Sequence, residues 1–462
     1  MDKNHNNIDR RDFLKILGAG AVASIAAMSG CNPETENKTN ATTTNEVPTD
    51  KMTYRTTRRT GDKISLLGYG CMRWQTKQTD DGKEEIDQES VNELVDYAIE
   101  HGVNYFDTAP VYGQGMSETA TGIALKRHPR DRFFIATKMS NHRMVGLERK
   151  ETFDAGVKMF KQSLKSLQVD YIDYYLLHNV GPNGMPALKS RFYDSGLLEW
   201  LLRLRDEGQI RNLGFSFHGD VEVFDYLLAQ DISWDFVQIQ LNFADWKNAE
   251  GWNINAEYLY NELAKRNIQS VVMEPLLGGR LSRLNTFAIE QLKKLRPEDS
   301  PAKWALRFAA SHEQVLSVLS GMTYMEHLQE NICSYSPLEP LNDVERKALE
   351  EIAKMIFESG FISCTECQYC MPCPYGLDIP GIFAHYNRCI NDGNMPKEAG
   401  DPEYRRQRRA FLLGYDRSVP KLRQAAHCTS CGQCNPNCTQ RIDIPAEMIR
   451  IDNFVENMKR EA

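Results

Sequence analysis

Three features that would assign this chain to a familiar class are missing from its sequence. There is no excess of positive charge: the formal net charge is -8 and the isoelectric point is near 5.8, which argues against a nucleic acid partner and a basic membrane-binding surface. The conspicuous apolar run, Ile16–Met28, is shorter than the roughly 20 residues of a membrane-spanning helix. Leu67-Gly-Tyr-Gly-Cys71, at the first predicted strand, is not the glycine-rich dinucleotide turn of an open doubly wound sheet.

What is present is the composition of a globular protein, with 41% apolar and 26% charged residues. A length of 462 residues allows two to three domains, so the boundaries must be sought in the patterns along the chain.

The first 31 residues have the pattern of an export signal. Arg10 and Arg11 directly precede the apolar run, an order that resembles a bacterial twin-arginine signal. Met28-Ser-Gly-Cys31 resembles a lipoprotein cleavage box, which would make Cys31 a lipid-modified first residue; ordinary cleavage nearby is the alternative. We therefore predict that the protein is exported by the twin-arginine route and is either periplasmic or lipid-anchored at a bacterial membrane. After the signal, residues 32–51 are predicted to form a disordered polar linker.

Strand and helix patterns alternate from residue 52 to residue 335. A hairpin signal around Thr60-Gly-Asp62 comes first, and helical periods then separate the predicted strands. These strands begin near Leu66, Val103, Phe133, Tyr171, Ile210, Phe236, Ile268 and Val315. Eight such units predict an α/β protein with a (β/α)8 barrel over residues 52–335.

Four chemically active side chains lie at or just after the ends of the second, third and fourth predicted strands. Asp107 follows one strand and Tyr112 comes five residues later, while Lys138 and His178 end the next two strands. In a parallel barrel the carboxyl ends of the strands converge on one face, so we expect these four side chains to meet.

This constellation resembles the aldo-keto reductase family, whose catalytic tetrad is Asp, Tyr, Lys and His in the same chain order. The resemblance implies that Tyr112 donates or accepts the proton and that Lys138 lowers the pKa of the Tyr112 phenol. It also implies that Asp107 holds Lys138 and that His178 orients the substrate oxygen. Trp74 and Trp246 are candidate aromatic residues of the pocket.

The resemblance also implies a nicotinamide nucleotide, NAD(H) or NADP(H), although several contact positions depart from the family pattern. Phe217 replaces an asparagine and Met273 replaces the tyrosine that stacks on the nicotinamide. Gly321 and His327 stand where basic residues grip a 2′-phosphate, so NADP(H) is disfavoured and a flavin stays open. The predicted cofactor-binding residues are Ser216, Gln238, Leu276, Gly278, Glu330 and Asn331.

Nine of the twelve cysteines lie in residues 336–462, and eight of them form two groups of four. Three C-x2-C steps make up the first group, and two such steps followed by C-x3-C make up the second. The pattern resembles bacterial two-cluster ferredoxins, which implies two [4Fe-4S] clusters in a mainly helical ferredoxin-like domain. Zinc and disulfide bonds are the alternatives. The predicted ligands are Cys364, Cys367, Cys370, Cys373, Cys428, Cys431, Cys434 and Cys438.

We therefore predict an exported oxidoreductase that interconverts a carbonyl and an alcohol, with an aldehyde, ketone or sugar-like polyol as substrate. The clusters would transfer electrons, and a redox partner protein would supply or remove them. The alternative is an iron–sulfur electron-transfer subunit in which the barrel is only a scaffold. The intact tetrad favours the enzyme, because a scaffold has no need of it.

Overall fold

The computed structural model describes residues 47–247 and 256–460. The predicted export signal, Cys31 and most of the predicted linker lie outside these residues. The described residues belong to one compact unit that begins at Val47. Among them, no helix combines the length and the apolar character needed to cross a membrane.

Eight parallel strands close into a barrel, which confirms the predicted architecture. The barrel strands are β3 Leu67–Gly70, β6 Tyr105–Asp107, β7 Phe134–Met139, β8 Ile172–Val180, β9 Ile210–Phe217, β10 Phe236–Gln240, β11 Gln269–Met273 and β12 Val315–Ser320. Around the barrel they follow the order β10-β11-β12-β3-β6-β7-β8-β9, and the ring closes where β9 pairs with β10.

Two antiparallel hairpins accompany the barrel. The predicted one pairs β1 (Tyr54–Thr56) with β2 (Lys63–Ser65). The amide of Arg58 in its turn donates to the side chain of Gln269, the first residue of β11, so this hairpin lies under the amino-terminal ends of the strands. A second hairpin, which the sequence analysis did not predict, pairs β4 Thr76–Gln78 with β5 Glu84–Ile86.

Helices separate the barrel strands, as the helical periods in the sequence predict, and further helices precede β9 and flank β12. Local capping explains where some begin: Ser300 accepts from the amide of Lys303, and Pro301 takes the first helical position, where its missing N–H costs nothing. The helices up to residue 334 are α1 Gln88–Glu100, α2 Ser117–Leu125, α3 Arg149–Leu167, α4 Gly184–Leu188, α5 Leu197–Asp206, α6 Val221–Ala229, α7 Ala256–Lys265, α8 Thr286–Leu295, α9 Pro301–Ala310 and α10 Met325–Ser334.

Alternation along the strands separates an inner from an outer apolar layer. Tyr105 belongs to the cluster inside the barrel, whereas its neighbour Phe106 belongs to the large cluster between strands and helices. In β8, Tyr174 and Leu176 point inward in the same way. Because side chains on a strand repeat every second residue, the next inward position at each strand end is free to carry a functional group.

The chain after the barrel builds a second core. Helix α11 (Asp343–Glu358) still packs on the barrel cluster, although the predicted boundary after residue 335 assigns it to the C-terminal domain. The second core begins at Ile362 and is formed by α12 (Ile379–Asn391), α13 (Tyr404–Ser418) and α14 (Ile444–Arg460), with both cysteine groups packed against it. We call residues 359–460 the cysteine module.

Direct contacts hold the cysteine module on the barrel. Arg73 donates to the carbonyl of Thr365 at 2.8 Å, and the Arg441–Asp220 ion pair measures 3.0 Å. A Cβ on Gly278 would come within 2.5 Å of the Thr365 carbonyl oxygen, so only glycine allows this approach. The module therefore covers the face of the barrel on which the strand ends lie.

Candidate active site

The inward rows of three neighbouring strands end in the predicted catalytic residues. Asp107 follows Tyr105 on β6, Lys138 follows Ala136 on β7, and His178 follows Leu176 on β8. Lys138 is fully buried, and its Nζ donates to Asp107 Oδ1 at 2.5 Å and to the Thr108 carbonyl at 2.8 Å. Burial raises the pKa of Asp107 and lowers that of Lys138, and the contact between them opposes both shifts.

Tyr112 lies on a short 3-10 turn beyond β6 and is 8% exposed. The ammonium of Lys138 lies 4.8 Å from the centre of the Tyr112 ring, so it faces the ring. Burial, together with nearby Tyr369 and Asp107, raises the pKa of Tyr112 well above 10. The Lys138 ammonium directs both of its hydrogen bonds to Asp107 and Thr108, and the expectation that it lowers the pKa of Tyr112 stays a prediction. Tyr112 is a neutral phenol and can donate a proton.

His178 is held in a fixed orientation by residues that the sequence analysis missed. Its Nδ1 shares a 2.6 Å hydrogen bond with the hydroxyl of Ser140. The buried guanidinium of Arg191 donates to the carbonyls of His178 and Asn179. Ser140 could have been found from the strand period, since it lies two residues after Lys138. No comparable signal marks Arg191, which comes from the irregular helix that follows α4.

The pH dependence of turnover follows from these pKa shifts. Burial, with added repulsion from Lys138 and His142, lowers the pKa of His178 well below 6.5. His178 thus stays neutral where a free imidazole would begin to take up a proton. We expect kcat/KM for a carbonyl substrate to be flat between about pH 6 and pH 8. An acidic limb with an apparent pKa near 6.5 would contradict the buried neutral imidazole.

A cavity of about 680 Å³ opens beside the tetrad, and the cysteine module forms part of its wall. Asp107, Tyr112 and His178 line it from the barrel, while Cys367 and Tyr369 line it from the module. The volume lies in the usual range for cofactor and ligand sites. One cavity therefore borders both the catalytic residues and a predicted cluster ligand.

The polar groups at the inner end of this cavity fit a carboxamide. The side-chain oxygens of Gln238 and Asn179 are buried without hydrogen-bond partners, and both residues line the cavity with Ser216. Two unsatisfied acceptors call for an N–H donor such as the amide of a nicotinamide. Gln238 and Ser216 were predicted for this task, whereas the sequence analysis did not predict Asn179, which lines the same cavity.

The outer part of the cavity carries positive charge. Arg280 is largely buried, and its Nε and Nη1 have no hydrogen-bond partner. Such donors fit the diphosphate of a dinucleotide. Leu276 and Gly278 also line the cavity, but the amide of Gly278 already donates to Glu274 at 2.6 Å. Gly278 therefore has no free amide for a diphosphate, and its backbone lies close to that of Thr365.

The remaining predicted residues lie apart from this cavity. Glu330 and Asn331 belong to α10 beyond the lining residue His327, and Asn331 donates to Ser320 at 3.0 Å. The two tryptophans were wrongly expected in the pocket. Trp74 donates to Thr121 inside the core, and Trp246 packs on His312, because both indoles fill space between strands and helices.

The eight predicted ligands divide into two sets that mix the two groups in the sequence. Neighbouring thiols of one set raise the pKa values of Cys364, Cys370 and Cys438, and Cys434 adds to the shift of Cys370. Thiols of the other set raise the pKa of Cys434. In each set the fourth cysteine comes from the opposite group. The sets are Cys364, Cys367, Cys370 and Cys438, and Cys373, Cys428, Cys431 and Cys434.

Two further observations describe these thiols. The eleven cysteines in the described part of the chain are all free of disulfide bonds. Matching turns support the two groups: the amide of Glu366 donates to the sulfur of Cys364, and that of Ser430 donates to the sulfur of Cys428, both at 3.4 Å. Within residues 47–247 and 256–460, no three His, Cys, Asp or Glu side chains converge as they would around a single metal ion.

Known proteins similar to this chain match it over the barrel. The model of the Aldo/keto reductase family matches residues 66–354. L-galactose dehydrogenase of Arabidopsis thaliana is 23% identical over 327 residues, which are 66% of this chain and 95% of that protein. The NADH-specific methylglyoxal reductase of Escherichia coli is 24% identical over 340 residues, covering 63% and 96% of the two chains.

A solved structure agrees with this assignment. The holo form of an aldo-keto reductase from Bacillus halodurans has a TM-score of 0.50 and 26% identity, and the match covers 65% of this chain and 96% of that one. The family match ends within α11, so the cysteine module lies outside it. With its closed barrel, its buried tetrad and this match over more than half its length, the chain is an oxidoreductase that belongs to the aldo/keto reductase family.

Proposed function

We propose that this protein interconverts a carbonyl and an alcohol on a small polar compound, using a bound nicotinamide nucleotide and two [4Fe-4S] clusters. The observation that carries the proposal is the shared cavity, which borders Asp107, Tyr112 and His178 on one side and Cys367 on the other. A scaffold that served only electron transfer would not need a buried acid and a neutral imidazole at that wall.

The chain's own residues supply the acid–base part of the reaction. Tyr112, neutral because of its raised pKa, donates its proton as negative charge develops on the carbonyl oxygen. In the tautomer with its proton on Nε2, His178 accepts from Ser140 through Nδ1 and can donate from Nε2 to the same oxygen. The Lys138 ammonium, held by Asp107, stabilises the phenolate that remains. A nicotinamide bound in the cavity would supply the hydride for reduction or accept it for oxidation.

Several residues support an unphosphorylated nucleotide. Gln238 and Asn179 offer unsatisfied acceptors to a carboxamide, and Arg280 offers unsatisfied donors to a diphosphate. Gly321 and His327 line the far part of the cavity, where a 2′-phosphate would need basic partners. The relative from Escherichia coli is named as specific for NADH, which agrees with this choice.

The exchange of fourth cysteines supports the cluster assignment. In two-cluster ferredoxins each cubane takes three thiolates from one run and one from the other, as in the two sets described here. Bound clusters would pass single electrons.

The place of action is a separate part of the proposal. Export through the twin-arginine route rests on Arg10, Arg11 and the apolar run after them, and anchoring rests on Cys31. That route carries folded proteins, so the nucleotide and clusters could be loaded before export. A protein outside the inner membrane has no free nucleotide pool, so it would have to retain its cofactor, and a partner protein would exchange electrons with the clusters.

Nucleotide retention gives the test of the proposed cofactor. Protein purified without oxygen and then denatured should release about one NAD(H) per chain, identified by mass spectrometry, because the module covers the cavity. Arg280→Ala should lower the retained amount by at least about tenfold, since it removes a buried charged donor. Arg417→Ala, on α13 away from the cavity, is the control. Absence of nucleotide together with no uptake of added NAD(H) or NADP(H) would contradict the proposal and favour the electron-transfer scaffold.

A further inference from the structure

We propose that the hydroxyl of Tyr369 holds the place of the substrate oxygen, so that this residue of the cysteine module decides which carbonyl compounds reach Tyr112. Tyr369 is not part of the tetrad and lies outside the family match, between the predicted ligands Cys367 and Cys370. The inference deepens the proposed function and rests on it, because it requires Tyr112 to be the catalytic acid.

The hydroxyl of Tyr369 lies where the polar groups of the tetrad converge. It is 3.4 Å from His178 Nε2, and it lies near enough to Tyr112 to raise the pKa of that phenol. These are the two groups that would bind a carbonyl oxygen during reduction. The rings of Tyr112 and His178 meet edge to face with their centres 5.8 Å apart, and the Tyr369 hydroxyl lies beside both residues. One oxygen position is therefore shared by Tyr369 and by any substrate.

Tyr369 also forms the partition between two cavities. It lines the large cavity beside the tetrad and a second cavity of about 150 Å³ on its other side. The second cavity is bordered by His142, Asn179 and Arg191 from the barrel and by Asn437 from the second cysteine group. Its volume would hold several water molecules, and polar and apolar groups line it about equally, which suits a small hydroxylated aldehyde or ketone.

The barrel and the module both fix the position of the Tyr369 ring. The ring stacks on His142 with its centre 5.9 Å away and an interplanar angle of 23°. Upstream, Thr365 is held by Arg73 and passes over Gly278 at a distance that excludes any side chain there. The oxygen of Tyr369 is thus placed by the packing of the cysteine loop, and a substrate must displace it to be reduced.

The substitution Tyr369→Phe separates this role from others, because it keeps the ring and removes the competing oxygen. With DL-glyceraldehyde as probe and NADH or NADPH supplied to the anaerobic holoprotein, KM should fall by about 3- to 10-fold, the equivalent of one or two hydrogen bonds. The value of kcat should stay within about twofold. Tyr375→Phe, in the same module but exposed, should leave both constants unchanged.

An unchanged or raised KM in Tyr369→Phe would overturn the inference. A kcat lowered by more than about tenfold would also overturn it and would make Tyr369 a proton relay.

Tyr369→Ala should join the two cavities and raise the ratio of benzaldehyde to glyceraldehyde turnover by at least about tenfold. An unchanged ratio in iron-replete protein would also overturn it. If wild type reduces neither compound, the proposed function and this inference fail together, whereas an active enzyme with an unaltered Tyr369→Phe variant refutes the inference alone.

Discussion

Replacing Tyr112 by phenylalanine is expected to lower carbonyl turnover by at least about 100-fold, the usual contribution of a positioned general acid. The substitution keeps the ring that packs over the Lys138 ammonium and removes the hydroxyl that donates the proton. Since the nucleotide would be held by other residues, among them Gln238 and Arg280, its retention should not change. Steady-state kinetics and the released nucleotide would be measured on the same preparation.

A matched tyrosine is available for comparison. Tyr54 lies in the hairpin under the barrel, and its hydroxyl donates to the Gly102 carbonyl at 2.8 Å, far from the strand ends. Tyr54→Phe should keep normal turnover. Near-normal turnover in Tyr112→Phe would remove Tyr112 from the catalytic role, and equal losses in both variants would show that the effect is structural.

Substituting one crossed cysteine at a time should remove one cluster at a time. Wild type should carry about eight irons, the content of two cubanes. Cys438→Ser should abolish the cluster of Cys364, Cys367 and Cys370, even though it lies in the other sequence group, and lower the iron content to about four. Cys373→Ser should spare that cluster and abolish the other. Electron paramagnetic resonance of the reduced protein would show which signal is lost.

The two variants should also differ in activity. Cys367 borders the cavity and the loop after it carries Tyr369, so loss of the proposed cluster in Cys438→Ser should disturb the active site. Cys373→Ser should disturb it less. Cys389→Ser is the control, because Cys389 is buried on α12 beside His385 and belongs to neither set. Loss of the same cluster from Cys438→Ser and Cys434→Ser would contradict the crossed assignment, and stoichiometric zinc in place of iron would overturn the cluster proposal.

The barrel and its tetrad could be predicted because each rests on short-range patterns. Apolar strands separated by helical periods specify the eight-stranded ring. Inward and outward alternation then fixes Asp107, Lys138 and His178 on one face once the strands are located.

What could not be predicted depends on contacts between distant segments. The upward shift of the Tyr112 pKa follows from its burial and from the nearby Tyr369 of the cysteine module, which spacing does not reveal. Trp74 was misassigned because large aromatic residues at strand ends pack in the core as readily as in a pocket. The crossing of Cys373 and Cys438 arises from the packing of the two cysteine groups on one core, and Tyr369 reaches His178 only when the module lies on the barrel.

We expect one site, lined by the barrel and the cysteine module, to reduce a carbonyl at Tyr112. A single-turnover experiment tests it most directly: anaerobic holoprotein, fully reduced and free of excess nucleotide, is mixed with glyceraldehyde, and the product is quantified by mass spectrometry. We predict about one glycerol per retained nucleotide in wild type and, at the same early time point, almost none in Tyr112→Phe. Equal product in the two proteins, or no product from wild type that retains reduced nucleotide, would contradict the account.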